Sequence, residues 1–447
     1  MQGISPQAAR AVQMLRDAGF RAVPVGGCVR DLLRGVVPHD WDLATSAFPD
    51  EMKRVFAGER ILETGLRHGT LTVLFDSVPV EITTFRSDGA YSDGRRPDAV
   101  AFSRRLEDDL ARRDFTINSL CLGEDGGIID LFGGREDLER GIIRCIGDPW
   151  ERFGEDALRI LRALRFAAAF GFVIEEQTAR AMRDQLPRLR LLAPERVQAE
   201  MRGLLCAPDV TRVLLGYPET VCAAFPVLSG CVGLAQPPQY HCYDVYGHVA
   251  RATGEILPRF PLRLAALLHD VGKPCCADGQ GHFYGHEARG AALCGETLAA
   301  LCCSAALQQQ VTRLVRLHHL PLCAERVRLR RLLARYGEPL LRDLLLLQRA
   351  DAAAQAPAFG AQRMRQLDQF EAALDGMIAE CPAVGLSQLA VRGGDLLAIG
   401  LPRGREIGET LRFLLREVID ERLPNERGAL LAAAQEQQKK RRGGMAK

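Results

Sequence analysis

Residues 26–45 read GGCVRDLLRGVVPHDWDLAT. In an extended chain Asp40 and Asp42 share one face while Trp41 points the other way. Carboxylates placed side by side repel, and a divalent cation relieves the repulsion. Hard oxygen ligands suit Mg²⁺, which is commonly held by one or two carboxylates together with substrate phosphates. Two such ions can clamp the attacking and leaving oxygens of an in-line phosphoryl displacement. Upstream, Gly26 and Gly27 let backbone amides approach a polyphosphate, and Arg30 adds charge-assisted hydrogen bonds. Gly-Gly and Asp-x-Asp are each common. In this order, between one strand and the next, they read as a phosphate clamp followed by a metal site.

Two later stretches carry more chemistry: RRDFTINSL at residues 112–120 and GDPWERFGEDALRILRALRF at 147–166. In the second, Glu155, Asp156 and Arg159 are expected to start one helix, with Arg162 and Arg165 following at intervals of three. Such neighbours form a ridge on a helix surface. An exposed charge pair of this kind is worth under about 0.5 kcal/mol, and a solvated face is the simple reading. Apolar residues on several sides of this helix (Leu158, Ile160, Leu161, Leu164, Phe166) favour a ridge that lines a cleft. Glu81, in VPVEITTF, is a candidate third carboxylate on a neighbouring strand, or simply a half-exposed strand residue.

The elements that must position these groups are legible in part. Ser5-Pro6 marks a helix start, and Ala9, Val12 and Leu15 give its inner face before a stop near Gly19. A short strand, residues 22–25, delivers the chain to the glycines. Residues 71–85 read as a β-hairpin, and SDGAYSDGRRPD (87–98) as a polar, glycine-rich loop. The β signal ends around Cys145, and nearly everything afterwards is helical. The expected fold class is therefore an α+β head followed by an all-α remainder. The expected divisions are 1–146, 147–237, 238–356 and 357–447. The last residues, QEQQKKRRGGMAK, read as a frayed basic tail.

A chain of 447 residues exceeds one hydrophobic core. Its 47% hydrophobic and 26% charged content is that of a soluble globular protein. The N-terminus lacks a signal-peptide pattern and no stretch is long and apolar enough for a membrane span. Fourteen cysteines without a CxxC motif imply reduced thiols and a cytoplasmic setting. A net charge of +2 exerts no global pull on a polyanion, so any nucleic acid must be held by local patches.

The motifs resemble the class II tRNA nucleotidyltransferases: the bacterial CCA-adding enzymes and the related poly(A) polymerases. The segments GGCVRDLLRG…DWDLAT, HGTLTVLF, VEITTFRSDGAYSDGRRPD, LARRDFTINSL, GEDALRILRALRFA and PERVQAEMRGLL follow that family's head and neck in order. GGDLLAIGLPRGREIGETLRFLL…NERGALL resembles its tail. The resemblance implies a head of the DNA polymerase β superfamily, then a helical neck, body and tail that grip tRNA. It implies that Gly27 and Arg30 contact the triphosphate and that Asp40 and Asp42 bind Mg²⁺. Arg113 and Asp114 would hold the nucleotide. Asp156 and Arg159 would present hydrogen-bonding edges to the base of CTP or ATP, with Arg162 and Arg165 completing the pocket. Family members that add only C lack the loop found here at 87–98, and the poly(A) polymerases tend to carry a long basic extension. CCA addition is favoured, with A addition alone and poly(A) synthesis as alternatives.

LRLAALLHDVGKP (262–274) resembles the HD phosphohydrolases. That resemblance implies a metal site of His248, His269, Asp270 and Asp351, with His286 and His318 or His319 as additional ligands. The metal would be a divalent transition metal or Mg²⁺, and the activity that of a phosphatase or 2′,3′-cyclic phosphodiesterase. A domain that has kept its helices but not its metal is the plain alternative. An HD segment beside a nucleotidyltransferase also occurs in enzymes that modify regulatory proteins. RRDFTIN and EDALRILRALRF speak against that class, as the intact carboxylates do against a non-catalytic RNA-binding protein.

Overall fold

The computed structural model describes residues 3–63, 65–88, 100–380 and 385–444. Most of the loop expected at 87–98 lies outside these residues. The chain forms two compact units, one of residues 1–229 with 299–303, the other of 230–298 with 304–447.

The first unit begins as expected. Ser5 caps the Pro6–Asp17 helix by accepting from the amide of Ala8 at 3.1 Å. Its buried face is Ala8, Ala11, Val12 and Leu15. Ala9 is only half-buried, because the face is phased one position earlier than the expected spacing.

Five strands follow: β1 (Ala22–Pro24), β2 (Asp42–Thr45), β3 (Arg60–Leu62), β4 (Thr70–Phe75) and β5 (Val78–Thr84), in the order β1-β2-β5-β4-β3. The hairpin turn between β4 and β5 has Asp76 and Ser77 both at positive φ, 49° and 68°, the twist that two-residue hairpins favour. β2 runs parallel to β5 and its neighbour β1 is antiparallel. The register sets Asp42 beside Glu81. Alternation then decides the faces. Trp41, Leu43, Val80 and Ile82 join the core beneath the first helix. Ala44 packs into a second core with Val23, Phe85, Leu106 and Leu110. Asp42 and Glu81 leave the sheet on this second side, at its open end.

Beyond the sheet, two expectations are corrected. β structure does not end at Cys145: Val173–Ile174 pairs in parallel with Ile142–Ile143. Nor do Glu155, Asp156 and Arg159 open one helix. One helix, Pro149–Glu155, is capped by Asp148 and ends at Asp156, whose backbone is extended (φ −144°, ψ 102°). The next runs Leu158–Phe170, with Asp156 Oδ1 accepting from the amide of Leu158 at 3.0 Å. An aspartate that accepts from the amide two residues on competes with helix continuation, so the break falls on the residue with the most chemistry.

The second unit is helical. Val245–Glu255, Phe260–Leu268, His286–Ala300, Ala305–Leu317 and Glu338–Ala353 surround a buried cluster of polar residues described below. Leu341 and Leu345 share a core with Leu367, Phe370 and Leu374 of the Pro357–Ala379 helix. A separate core begins only at Leu389, with Leu396, Leu414 and Leu430. The expected frayed tail is instead helical through Gly444, as part of Arg427–Gly444. Among the described residues, thirteen cysteines are free and no helix is long and apolar enough to cross a membrane.

Gly272 shows how tightly this unit is closed. A Cβ there would lie 2.1 Å from the carbonyl oxygen of His286 and 2.6 Å from the amide nitrogen of Gly290. Both obstacles are backbone and cannot swing away. Gly272→Ala is expected to destabilise the second unit by about 1–3 kcal/mol, read as a lowered urea midpoint of the metal-free protein.

Candidate functional site

A cleft of about 450 Å³ in the first unit gathers groups from the sheet and the helices. Gly27, Arg30, Asp42, Arg113, Asp114, Asp156, Arg159, Arg162 and Arg165, all anticipated from the sequence, line it. Asp40 and Glu81 are not among its lining residues. Their charges nonetheless reach Asp42: burial raises the pKa of Asp42, Asp40 raises it further, and Arg113 opposes both. Burial followed by Asp42 and Asp40 likewise raises Glu81. Asp40 lies in the bend before β2 rather than in the strand, so the extended alternation is realised only from Trp41 onward. Asp42 and Glu81 are register partners and Asp40 precedes them, so three like charges influence one another at one end of the sheet, hard oxygen donors of the type that suits a divalent cation.

Opposite them stands a ring of guanidinium groups, each already held. Arg30 is buried; its Nη1 donates to Asn118 Oδ1 at 2.6 Å and it stacks over Phe170, 4.6 Å from the ring centre. Asn118 in turn donates to Asp114 Oδ1 at 3.0 Å. Arg162 donates from Nε to Asp114 Oδ2 at 2.7 Å. Burial would raise the carboxyl of Asp114, but Arg162, Asn118 and the amide of Phe115 outweigh it and hold the pKa below the ordinary value. Arg159 donates to Glu155 Oε2 at 2.5 Å and to the carbonyls of Arg152 and Arg112, both at 3.0 Å. Arg165 donates to Glu200 Oε2 at 2.6 Å. Asp156 uses one oxygen to cap Leu158 and accepts from Arg196 Nη2 at 2.7 Å on the other.

The supporting residues had not been singled out from the sequence. Asp109, fully buried, binds Arg112 through Oδ1 (2.8 Å) and Arg113 through Oδ2 (3.0 Å). Its i+3 and i+4 spacing was available in EDDLARRD. Arg196 and Glu200 reach residues 40 and 35 positions away, and nothing local signals such contacts. Gly26 has a different role from the one expected. Its amide donates to Leu120 O at 2.9 Å, so it is not open to a phosphate. Its φ of +79° and the 2.7 Å from a notional Cβ to Arg113 Nη1 instead explain the glycine: a side chain would displace that guanidinium.

A profile described as the Poly A polymerase head domain matches residues 22–144. Profiles for an RNA and SrmB-binding site of polymerase A and for tRNA nucleotidyltransferase domain 2 match 171–216 and 292–434. The CCA-adding enzyme of Limosilactobacillus fermentum is 34% identical over 420 residues, 94% of each chain. The chain belongs to the CCA-adding enzyme family. Its members are nucleotidyltransferases. The enzyme of Leuconostoc mesenteroides is 50% identical over 200 residues, a match that spans 45% of this chain and about half (49%) of that protein. Among solved structures, the Bacillus stearothermophilus CCA-adding enzyme in complex with CTP superposes with a TM-score of 0.73 at 28% identity, covering 99% of this chain and 100% of that one. The Thermotoga maritima CCA-adding enzyme complexed with tRNA has the same fold, with a TM-score of 0.60 at 18% identity over 98% and 97% of the two chains.

The second unit holds another cluster. His248, His269, Asp270, Asp351, His286 and His318 are all buried. Each of the four imidazoles has Nδ1 beside a backbone carbonyl, those of Ala354 (3.3 Å), Ala266 (2.8 Å), Phe283 (2.8 Å) and Val315 (2.7 Å) respectively. That arrangement places the proton on Nδ1 and turns the Nε2 lone pair inward. The Nε2 atoms of His248 and His269 are 3.3 Å apart, as are those of His286 and His318. Asp351 Oδ1 lies 2.9 Å from His248. Asp270 points Oδ2 at the first pair (3.3 Å to His269) and Oδ1 at the second (3.4 Å to His286). That Oδ1 is buried without a hydrogen-bond partner. Facing lone pairs beside an unsatisfied carboxylate oxygen are costly unless a cation lies between them. His319, more exposed, is anchored by Glu287 at 3.1 Å, and its ring nitrogens lie close to those of His286 and His318.

The raised pKa of Asp42 carries a stability consequence. A carboxyl whose folded pKa exceeds its unfolded one destabilises the folded state once it is ionised. Asp42→Asn is therefore expected to raise the Tm of metal-free protein at pH 7. The gain should shrink toward zero as pH falls through the carboxylate range and Asp42 itself becomes neutral. Differential scanning calorimetry across that range checks both the sign and the trend.

Proposed function

We propose that this chain adds C, C and A in turn to the 3′ end of tRNA, using CTP and ATP and no nucleic-acid template. What carries the reading is the cleft itself: Asp42 from the sheet and the held arginines line one space with Asp156 and Arg159, within a chain of this family. Asp40 and Asp42, with Glu81 beside them, would hold Mg²⁺. Bound there, magnesium would polarise the α-phosphate and favour ionisation of the attacking 3′-hydroxyl. Gly27 leaves room for the triphosphate, and Arg30 and Arg113 neutralise it. Asp156 can accept from the exocyclic amino group that C and A share, and Arg159 can donate to ring acceptors. U and G present a different pattern on that edge, and a buried polar group left unpaired costs about 1–3 kcal/mol. Both residues already have protein partners, so a base exchanges hydrogen bonds with the pocket. The helices after the sheet would grip tRNA by shape and phosphate contacts. Free thiols and a tRNA substrate favour the cytoplasm.

The test is single-nucleotide incorporation into tRNA ending before C, after one C and after CC, with each of the four nucleotides. C, C and then a single A is expected. A added only to CC ends, or runs of A on any RNA, would replace this reading with one of the relatives' activities. Asp40→Ala and Asp42→Ala should each lower incorporation at least about a hundredfold, since such an ion supplies several kcal/mol.

A second reading is favoured by the facing Nε2 pairs and the unsatisfied Asp270 oxygen. His248, His269, Asp270 and Asp351 would hold a divalent transition metal or Mg²⁺, and His286 and His318, sharing Asp270, a second ion. The chemistry such ions supply is hydrolysis of a phosphoester. Metal analysis of a His269→Ala, Asp270→Ala double variant is expected to show loss of bound metal and of phosphoesterase activity. Unchanged metal content in the folded variant would sink this reading.

A further inference from the structure

Two aromatic rings stand among the guanidinium groups of the first unit. Phe166 lines the cleft and is 5% exposed. The centre of its ring lies 4.2 Å from the guanidinium carbon of Arg165, 5.3 Å from that of Arg162 and 5.5 Å from that of Arg30. Phe170, one turn on, stacks on Phe166 with centres 5.6 Å apart and planes 12° from parallel. It receives Arg30 at 4.6 Å and Arg34 at 4.3 Å. Phe115 meets Phe166 edge-on at 5.9 Å, which holds the ring in place. Arg165 is confined along its stem as well: a Cβ on Gly203 would lie 2.4 Å from its Cδ.

The carboxylates and the ring constrain different things. Arg165 donates from Nε to Glu200 Oε2, and Arg162 meets Asp114 Oδ2 through Nε and Nη2, both at 2.7 Å. Such a contact fixes where one edge of a guanidinium sits. The tilt of the plane about that edge is set by the ring beside it, because a cation is drawn to the negative face of the π system. The ring also does what a further carboxylate could not. Asp or Glu in its place would add negative charge to a cleft that must admit a triphosphate. Phe166 attracts the cations and leaves their charge uncancelled.

We propose that Phe166 is a positioning residue for nucleotide selection. Its ring sets the planes of Arg162 and Arg165 and, with Phe170, that of Arg30, so that base and triphosphate are met by guanidinium groups in one fixed arrangement. The inference rests on the reading of the cleft given above and adds to it a residue that acts through the arginines.

The test changes the electrons of the ring before its shape. Full-length protein is made with mono-, tri- or pentafluorinated phenylalanine at position 166. Fluorine withdraws density from the ring face, so the attraction weakens stepwise while the packing is kept; Phe166→Leu removes it. The kcat/KM for CTP and for UTP is read on tRNA lacking its CCA end, beside the urea midpoint of each protein. The ratio of CTP over UTP should fall in the order of fluorination, by about tenfold in Phe166→Leu. The fall should come chiefly through the KM for CTP, and the fluorinated proteins should keep the wild-type midpoint. A ratio constant across the fluorinated series and lost only in Phe166→Leu would mean that the ring acts by packing alone, and would overturn the proposal. So would a ratio that Phe166→Leu leaves unchanged. A second readout is independent of activity. In NMR spectra of the nucleotide-free protein, the Hε protons of Arg162 and Arg165, assigned through Arg162→Lys and Arg165→Lys, should be shielded by the ring current, and Phe166→Leu should abolish the shielding. Ordinary shifts in the wild type would contradict the placement. Wild-type protein that adds no C would remove the reading of the cleft and this role with it, while intact shielding would still show the ring holding the arginines.

Discussion

The half-buried ion pair between Asp114 and Arg162 is the contact that ties the cleft of the first unit together. Asp114 belongs to the segment that closes the sheet region, and Arg162 to the Leu158–Phe170 helix. The 2.7 Å bond between them brings the two parts of the cleft together. Asn118 is oriented by the same carboxylate and passes the constraint to Arg30. Such a pair contributes little net stability, because desolvating two charges offsets most of their attraction, but removing one partner strands the other. Its consequence here is geometric. Arginine has five donors on a rigid plane, and a pocket of unheld arginines would have no fixed pattern to show a base. Asp109, Glu155, Asp114 and Glu200 give each guanidinium a defined orientation before any nucleotide arrives.

The two clusters handle charge in opposite ways. In the first unit Asp42 and Glu81 lie in register at the sheet end, and burial raises the pKa of both, with the charge of Asp40 adding to it; a divalent cation would relieve that repulsion. In the second, Asp270 and Asp351 are buried among imidazoles. Burial pushes His318 well below its usual value, assisted by His319 and His269, which leaves a neutral ring.

Much of this was legible in the sequence because it is local. DWD, RRDFTIN and the Arg159, Arg162, Arg165 series carry their spacing with them, and the hairpin announced itself through β-branched residues around Asp76-Ser77. The HD doublet likewise pointed to its partners through family resemblance. What could not be read depends on distant contacts or on competition between neighbours. Asp156 breaks its helix because its own side chain caps the next one, a choice that ordinary helical periodicity conceals. Gly26 looked like a phosphate contact, yet its amide is taken by Leu120 and its real constraint is the space Arg113 needs. Arg196 and Glu200 lie in a helix whose sequence shows only an amphipathic face, and their role appears once that helix packs beside Leu158–Phe170. The helical end of the chain is another case: QEQQKKRR looks like a solvated tail, but Leu430 and Ala434 anchor the helix from which it continues.

On this reading nucleotide selection belongs to the coupled network rather than to Asp156 and Arg159 alone. A double-mutant cycle on Asp114→Asn and Arg162→Ala, read as kcat/KM for CTP relative to UTP, tests it most directly. Either single change should lower the ratio, and the double variant should fall no further than the worse single one, a coupling of about 1 kcal/mol or more. Fully additive losses, or a ratio untouched by either change, would contradict it.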